Sequence, residues 1–328
     1  MAVRTQSDAV VDMVVTTWQL RFDAIVDQIF GTTPFYLLMK KKGRIESKGG
    51  GRYIEEPLQY AKNETVTSIA KGDSVTLKNS ESLTTSYWDW KTIVGHIMVL
   101  RDDMSKNAGP EKIKDLVKVK LDNLVDTIVD TFETMLFADG TGNDSKDIDG
   151  LGNIVASAPT TGSPGGINRA TYTWWRNQTY NMTAQSVTVY LIQRMRNMYN
   201  TCGAQNKGVS RFPDAIITDQ TGYEYFEAET DEMSRILVGD KDLVSLGFGE
   251  LAYKGKPITW SPACTAGSMY FLNMNTLRLV RHSTEFLEMG ERIPILDQPK
   301  DSVIHNVSTL NLVSGKPAAN GILYNIGL

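Results

Sequence analysis

PEKIKDLVKVKLDNLVDTIVDTFETMLFA, residues 110–138, is the stretch on which the fold turns. Apolar side chains recur at Ile113, Leu116, Val117, Leu121, Leu124, Val125, Ile128, Val129, Phe132, Met135 and Leu136. That three-and-four spacing lines one face of an α-helix. Lys112, Asp115, Asp122, Asn123, Asp126, Asp130 and Glu133 occupy the other face. Pro110 suits a first helical turn, where its missing N–H costs nothing. Asp139-Gly140 supplies the stop, because glycine accepts the left-handed turn that ends helices. The rod is then roughly 43 Å long. A rod of that length in mid-chain needs a large partner surface, and the flanking segments must provide it.

Upstream, residues 5–30 predict a second amphipathic helix, with Val10, Val14, Trp18, Phe22, Ile25 and Ile29 on one side. Residues 35–92 differ in character. A short apolar run, Phe35–Met39, precedes a basic cluster of Lys40, Lys41, Lys42, Arg44, Lys48 and Arg52 around three glycines. From 52 to 90 the pattern is polar and β-branched, with Lys71-Gly72-Asp73-Ser74 as a turn. This predicts a two-stranded extension whose strands of about 20 residues would span about 65 Å. Such a ribbon is only marginally stable alone and must lie on another surface. Its scarcity of large apolar residues favours a neighbouring subunit over its own body. Residues 92–100 predict a buried strand that contains His96.

Downstream, 139–150 is a loop with four aspartates, and 151–183 is too rich in glycine and proline for regular structure. Trp174 and Trp175 stand out there, as tryptophans that wedge into a core or an interface. An α/β unit follows: a helix over 185–200, a strand over 215–218, and a helix after Asp219 as its cap. A glycine-rich loop spans 231–256, with strands over 257–260, 268–274 and 276–282. The tail reads as strands over 292–296 and 302–312, returning to earlier strands near the long helix.

The 328 residues, 41% of them apolar, suffice for one large domain or two smaller ones, and the net charge of −4 argues against a globally basic nucleic-acid binder. No apolar run reaches membrane-span length and no signal peptide opens the chain, so folding in a cytoplasm is expected. Cys202 and Cys264 read as two free thiols. The three histidines lack ligand partners at metal-binding spacing. Neither a phosphate loop, a dinucleotide fingerprint nor a nucleophile elbow is present. The loop from Asp139 lacks the sixth-position glycine and the final glutamate of a calcium loop. No catalytic, cofactor or metal residue is assigned.

The order of elements, together with one phrase, resembles the tailed-phage major capsid protein family, whose fold encapsulin shells share. The phrase lies in DIDGLGNIVASAPTTGSPGGINRATYTWWRNQ, residues 147–178. Its matching residues are Gly150, Leu151, Gly165, Gly166, Ile167, Arg169, Thr171, Trp174, Trp175, Arg176 and Asn177. RFPDAIITDQTGYEYFEA, residues 211–228, is similar to the strand-then-helix of that family's axial domain. The resemblance implies an α+β shell protein. Residues 1–38 would be an N-terminal arm and 39–92 an extended β-hairpin loop over the next subunit. Residues 93–183 and 283–328 would form a peripheral domain with the spine helix 110–138, and 184–282 an axial domain. The expected function is a self-assembling icosahedral capsid around double-stranded DNA, with no active site. Candidate intersubunit contacts are Lys40, Lys41, Lys42, Arg44, Lys48, Arg52, Lys62, Lys71, Trp174, Trp175 and Arg176. The chain itself, in pentamers and hexamers, is the implied main partner. Scaffolding, portal and decoration proteins and non-specifically held DNA would be the others. The acidic face of the spine helix, Asp115, Asp122, Asp126, Asp130 and Glu133, should then meet solvent or a neighbour's cations. An encapsulin-like compartment and a cytoplasmic α/β enzyme are the alternatives.

Overall fold

The computed structural model describes residues 33–63, 65–74, 81–99, 110–206, 211–231, 251–290, 293–295 and 298–327. The N-terminal helix expected over 5–30, and residues 232–250 of the glycine-rich loop, lie outside them.

The long helix forms, as α2 (Pro110–Phe137), after a short helix α1 (Pro34–Lys41). α1 is the apolar run Phe35–Met39, and it packs on the C-terminal half of α2. Phe35 meets Phe137 with ring centroids 6.0 Å apart, and Tyr36 meets Phe132 edge-on at 5.6 Å. Val125, Val129, Phe132 and Leu136 bury the predicted stripe. The helix end is closed by the following loop, whose Gly152 N–H donates to the Ala138 carbonyl at 3.1 Å.

The main partner of α2 is the first sheet. Its centre is β13 (Gln298–Ser314), which has neighbours along both edges. On one edge runs β4 (Lys91–Val99), antiparallel, from Lys91 opposite Leu310 to Val99 opposite Ser302. On the other edge lie β10 (Leu277–His282), β11 (Glu288–Met289) and β12 (Ile293–Ile295). β1 (Ile45–Lys48) adds in parallel to β10. The tail thus returns to a strand beside the long helix, as its pattern predicts.

β4 crosses α2 closely at Gly95, where an added Cβ would sit 2.8 Å from Leu124. Gly95 and buried Ile97 therefore face the helix, and Val94, His96 and Met98 face away, because side chains alternate along a strand. The expectation of a fully buried strand is corrected: one face of β4 is exposed, His96 included. His96 lies opposite His305 of β13, ring centroids 6.1 Å apart. The three histidines are far apart in sequence, and the sheet register pairs two of them.

The second sheet has the order β5 (Gln178–Asn181), β14 (Gly321–Tyr324), β9 (Met269–Leu272), β6 (Ala215–Thr218), β8 (Lys256–Trp260), β7 (Ala252–Tyr253). Its central strands are apolar at successive positions and buried throughout, the mark of a sheet covered on both faces. Ile216, Met269, Phe271 and Leu323 pack with Leu191, Met195 and Met198 of α3 (Val187–Gln205). Ile217, Tyr270, Leu272 and Ile322 join the core of α2, where Phe137 and Tyr270 approach to 6.2 Å. Asp219 caps α4 (Gln220–Asp231) through the Gly222 N–H at 3.0 Å, as its position before the helix predicts. Strand membership departs from the sequence reading in two places. β10, expected in the α/β unit, belongs to the first sheet, and β5, inside the 151–183 stretch expected to lack regular structure, pairs with β14 in the second. Local pattern marks strands, but long-range pairing chooses their sheet.

Candidate functional site

Between α1 and β4 the chain leaves the body and returns. β2 (Ile54–Gln59) and β3 (Leu83–Trp88) pair antiparallel over six residues, from Ile54 opposite Trp88 to Gln59 opposite Leu83. The ladder is about 20 Å long, well short of the extension predicted from sequence. Beyond it the described residues 61–63 and 65–74 form no strand and are mostly exposed. The predicted turn forms one residue early, Asp73 N–H donating to Ala70 O at 3.1 Å, with Gly72 at φ +98°. The ladder stops because residues 61–74 lack the alternating apolar side chains that would hold it to a surface.

The arm root is clamped from both sides. Arg278 of β10 pairs with Glu46 of β1 at 2.8 Å and with Glu56 of β2. Glu56 is buried, so this pairing neutralises a charge that would otherwise be costly. From the other side comes the WWRN phrase. Trp174 stacks on Tyr60, at the end of the ladder, with centroids 5.4 Å apart. Trp175 is 1% exposed, and its indole N–H donates to Pro164 O at 2.9 Å. Arg176 donates to the carbonyls of Arg169 at 2.7 Å and Ala170 at 2.9 Å. Asn177 donates to Ala156 O at 2.8 Å. Arg169 is also 1% exposed and donates to Ile154 O; burial pushes its guanidinium pKa down to about 10. Beside this clamp lies an open cleft of about 410 Å³, lined by Tyr60, Leu83, Tyr87, Tyr172 and Trp174.

The candidate contact residues divide accordingly. Trp175 is corrected: it is sealed in its own subunit and has no surface to offer a neighbour. Arg176 spends its guanidinium on local carbonyls. Lys42 pairs with Asp214 at 3.3 Å and Arg44 bonds Asn275, tying the basic cluster to the residue before β6 and to the turn between β9 and β10. Lys40, Lys41, Arg52, Lys62 and Lys71 are exposed; Lys48 is half-buried in β1. Arg52 lies 5.2 Å from the Tyr53 ring centroid. Glu133 is also corrected. It does not join the solvent face of α2 but is buried against Ser261. Sequence reasoning missed Tyr60, Glu56 and Arg278, because nothing local marks a residue whose partner is more than a hundred positions away.

No family model and no curated protein matches the sequence. Solved structures do match. The subunit of the cyanophage A-1(L) capsid aligns at a TM-score of 0.67 and 17% identity, over 87% of this chain and 91% of that one. The capsid protein of Myoviridae phage XM1 aligns at 0.56 and 10% identity, over 88% and 92%. The SrpI encapsulin of Synechococcus elongatus aligns at 0.52 and 10% identity, over 90% and 88%. The chain therefore has the fold that phage capsid subunits and encapsulin shells share.

Proposed function

We propose that this chain is a phage major capsid protein, which self-assembles into the icosahedral shell enclosing the double-stranded DNA genome. One observation carries the reading. The shell fold runs through almost the whole chain, and an exposed arm projects from a rigid root. A loop that displays Val66 and Ile69 to water, 84% and 57% exposed, suits an element completed by a neighbour.

Residues 93–183 with 283–328 would act as the peripheral domain and 184–282 as the axial domain around five-fold and six-fold centres. The chain's role is structural, not catalytic. Scaffolding, portal and decoration proteins and packaged DNA are further expected partners, the virion is the expected location, and the host cytoplasm the place of assembly.

The test is electron microscopy of the purified chain, with and without residues 61–81. Tyr60 N–H donates to Ser82 O at 3.0 Å, so a short linker can close the deletion. Wild-type shells, with folded but unassembled deletion protein, are expected. A wild-type chain that stays monomeric across ionic conditions, with scaffold present, would overturn the reading.

The encapsulin neighbour favours a second reading, a protein compartment of the same fold. Particles from the native source holding DNA support the first reading; particles holding a cargo protein support the second.

A further inference from the structure

β4 and β13 run antiparallel, and their register sets His96 directly opposite His305. Directly opposite residues share a face of the sheet, with Cβ atoms about 5 Å apart. The two rings accordingly meet, with centroids 6.1 Å apart and planes inclined at 60°. Spacing along the chain gives no histidine a metal-ligand partner; the register gives His96 one.

Three observations go beyond an aromatic contact. The first is reach. Two imidazoles that bind one ion at about 2.1 Å per bond have ring centroids at most about 6.4 Å apart. His96 and His305 fall within that span. The second is an idle nitrogen. His305 Nδ1 is buried without a hydrogen-bond partner among the described residues. A neutral imidazole keeps one lone pair, and no bond at Nδ1 fixes which ring nitrogen carries it. The third is the flanks. Val94 opposite Val307 and Met98 opposite Val303 fence the pair on both sides. An apolar shell of this kind limits the access of water to a bound ion.

We propose that His96 and His305 together bind one divalent transition-metal ion, with water completing its coordination. The ion is of the Cu²⁺, Ni²⁺ and Zn²⁺ class, because imidazole suits those metals, whereas Mg²⁺ and Ca²⁺ need oxygen ligands. Cu²⁺ heads that series in affinity. His96 is exposed, so the ion has a path from solvent. The site is a clip. β4 continues the chain directly after the arm strand β3, and β13 is the centre of the first sheet. A bound ion ties the two strands together and stabilises the folded chain over the unfolded one. The site does not depend on the shell reading.

Titration of the untagged full chain with Cu²⁺ tests it, read by calorimetry and by electron paramagnetic resonance. The chain has only three histidines, so the background is small. One tight Cu²⁺ per subunit, with two nitrogen ligands in the spectrum, is expected. His96→Gln and His305→Gln should each weaken that binding at least about tenfold, and His282→Gln should leave it unchanged. Zn²⁺ should raise the thermal midpoint of the wild type, EDTA should reverse the rise, and Mg²⁺ should have no effect. His96→Gln, at an exposed position, should abolish the rise while keeping the wild-type circular dichroism, so the test stands even if His305→Gln fails to fold. Wild-type affinity in His96→Gln overturns the proposal, as does a tightest site that is lost with His282 instead. A wild-type spectrum with a single nitrogen ligand, or no binding at all, leaves the pair an aromatic contact and overturns it too.

Discussion

Glu133 of α2 accepts a hydrogen bond from the Ser261 hydroxyl at 2.5 Å. Ser261 directly follows β8, so this bond joins α2 to the second sheet. Burial raises the Glu133 carboxyl pKa, the Ser261 bond opposes that rise, and Asp130 adds to it. A carboxyl whose folded pKa lies above its unfolded value holds more protons in the folded state. Its contribution is complete below the unfolded value and is lost as pH rises through the folded one. Glu133→Gln, which keeps an acceptor without the charge, should be at least as stable as wild type at pH 7. Urea denaturation of both proteins should converge as pH falls below about 4.5.

Trp174 and Trp175 are adjacent and do different work. Trp175→Ala empties a buried site and should cost about 3–5 kcal/mol. Trp174→Ala loses the stack on Tyr60 and the ring contacts with Tyr172 and Trp175, about 1–3 kcal/mol, and releases the arm. Equilibrium denaturation separates the costs, and limited proteolysis should cut the 61–74 loop faster in the Trp174 variant.

Arg278 serves two carboxylates, and Glu56 is the more deeply buried. Arg278→Met strands the Glu56 charge and should cost about 3 kcal/mol. Glu46 is more exposed, so Glu46→Gln should cost well under 1 kcal/mol. A thermal melt of each variant measures the difference. Adding Glu56→Gln to Arg278→Met should recover part of the loss.

Gly150 sits where the loop after α2 crosses the helix end. An added Cβ there would lie 2.3 Å from Ala138 O and 2.4 Å from Met135 O. Backbone on both sides cannot yield as a flexible side chain would. Gly150→Ala should destabilise by about 1–3 kcal/mol, read as a lowered denaturation midpoint.

The two thiols should be inert in the folded protein. Burial pushes the Cys202 thiol pKa up to about 12, and burial also raises that of Cys264. Neither should react with a thiol reagent at pH 8 within minutes, and both should react in denaturant.

Much of the fold was legible along the chain. The 3.6-residue apolar period drew α2, proline and glycine marked its ends, and Asp219 announced α4 by its cap. The apolar run Ala215-Ile216-Ile217 announced a short buried strand. The arm announced itself by what it lacks, a row of large apolar residues with which to build a core. The WWRN phrase was visible as unusual, but not as a clamp on Tyr60.

What the sequence by itself determined is therefore local: where helices and strands lie, which loops are glycine-made, and that a polar arm leaves the body. Periodicity, capping and turn chemistry act over a few residues and can be read there. Only the tertiary structure decided that β10 joins the first sheet, that His96 faces His305, that Arg278 anchors Glu56, and that β4 leaves an apolar row uncovered. Those outcomes depend on register and on packing between segments more than two hundred residues apart. Their energies exist only once the chain has brought the segments together.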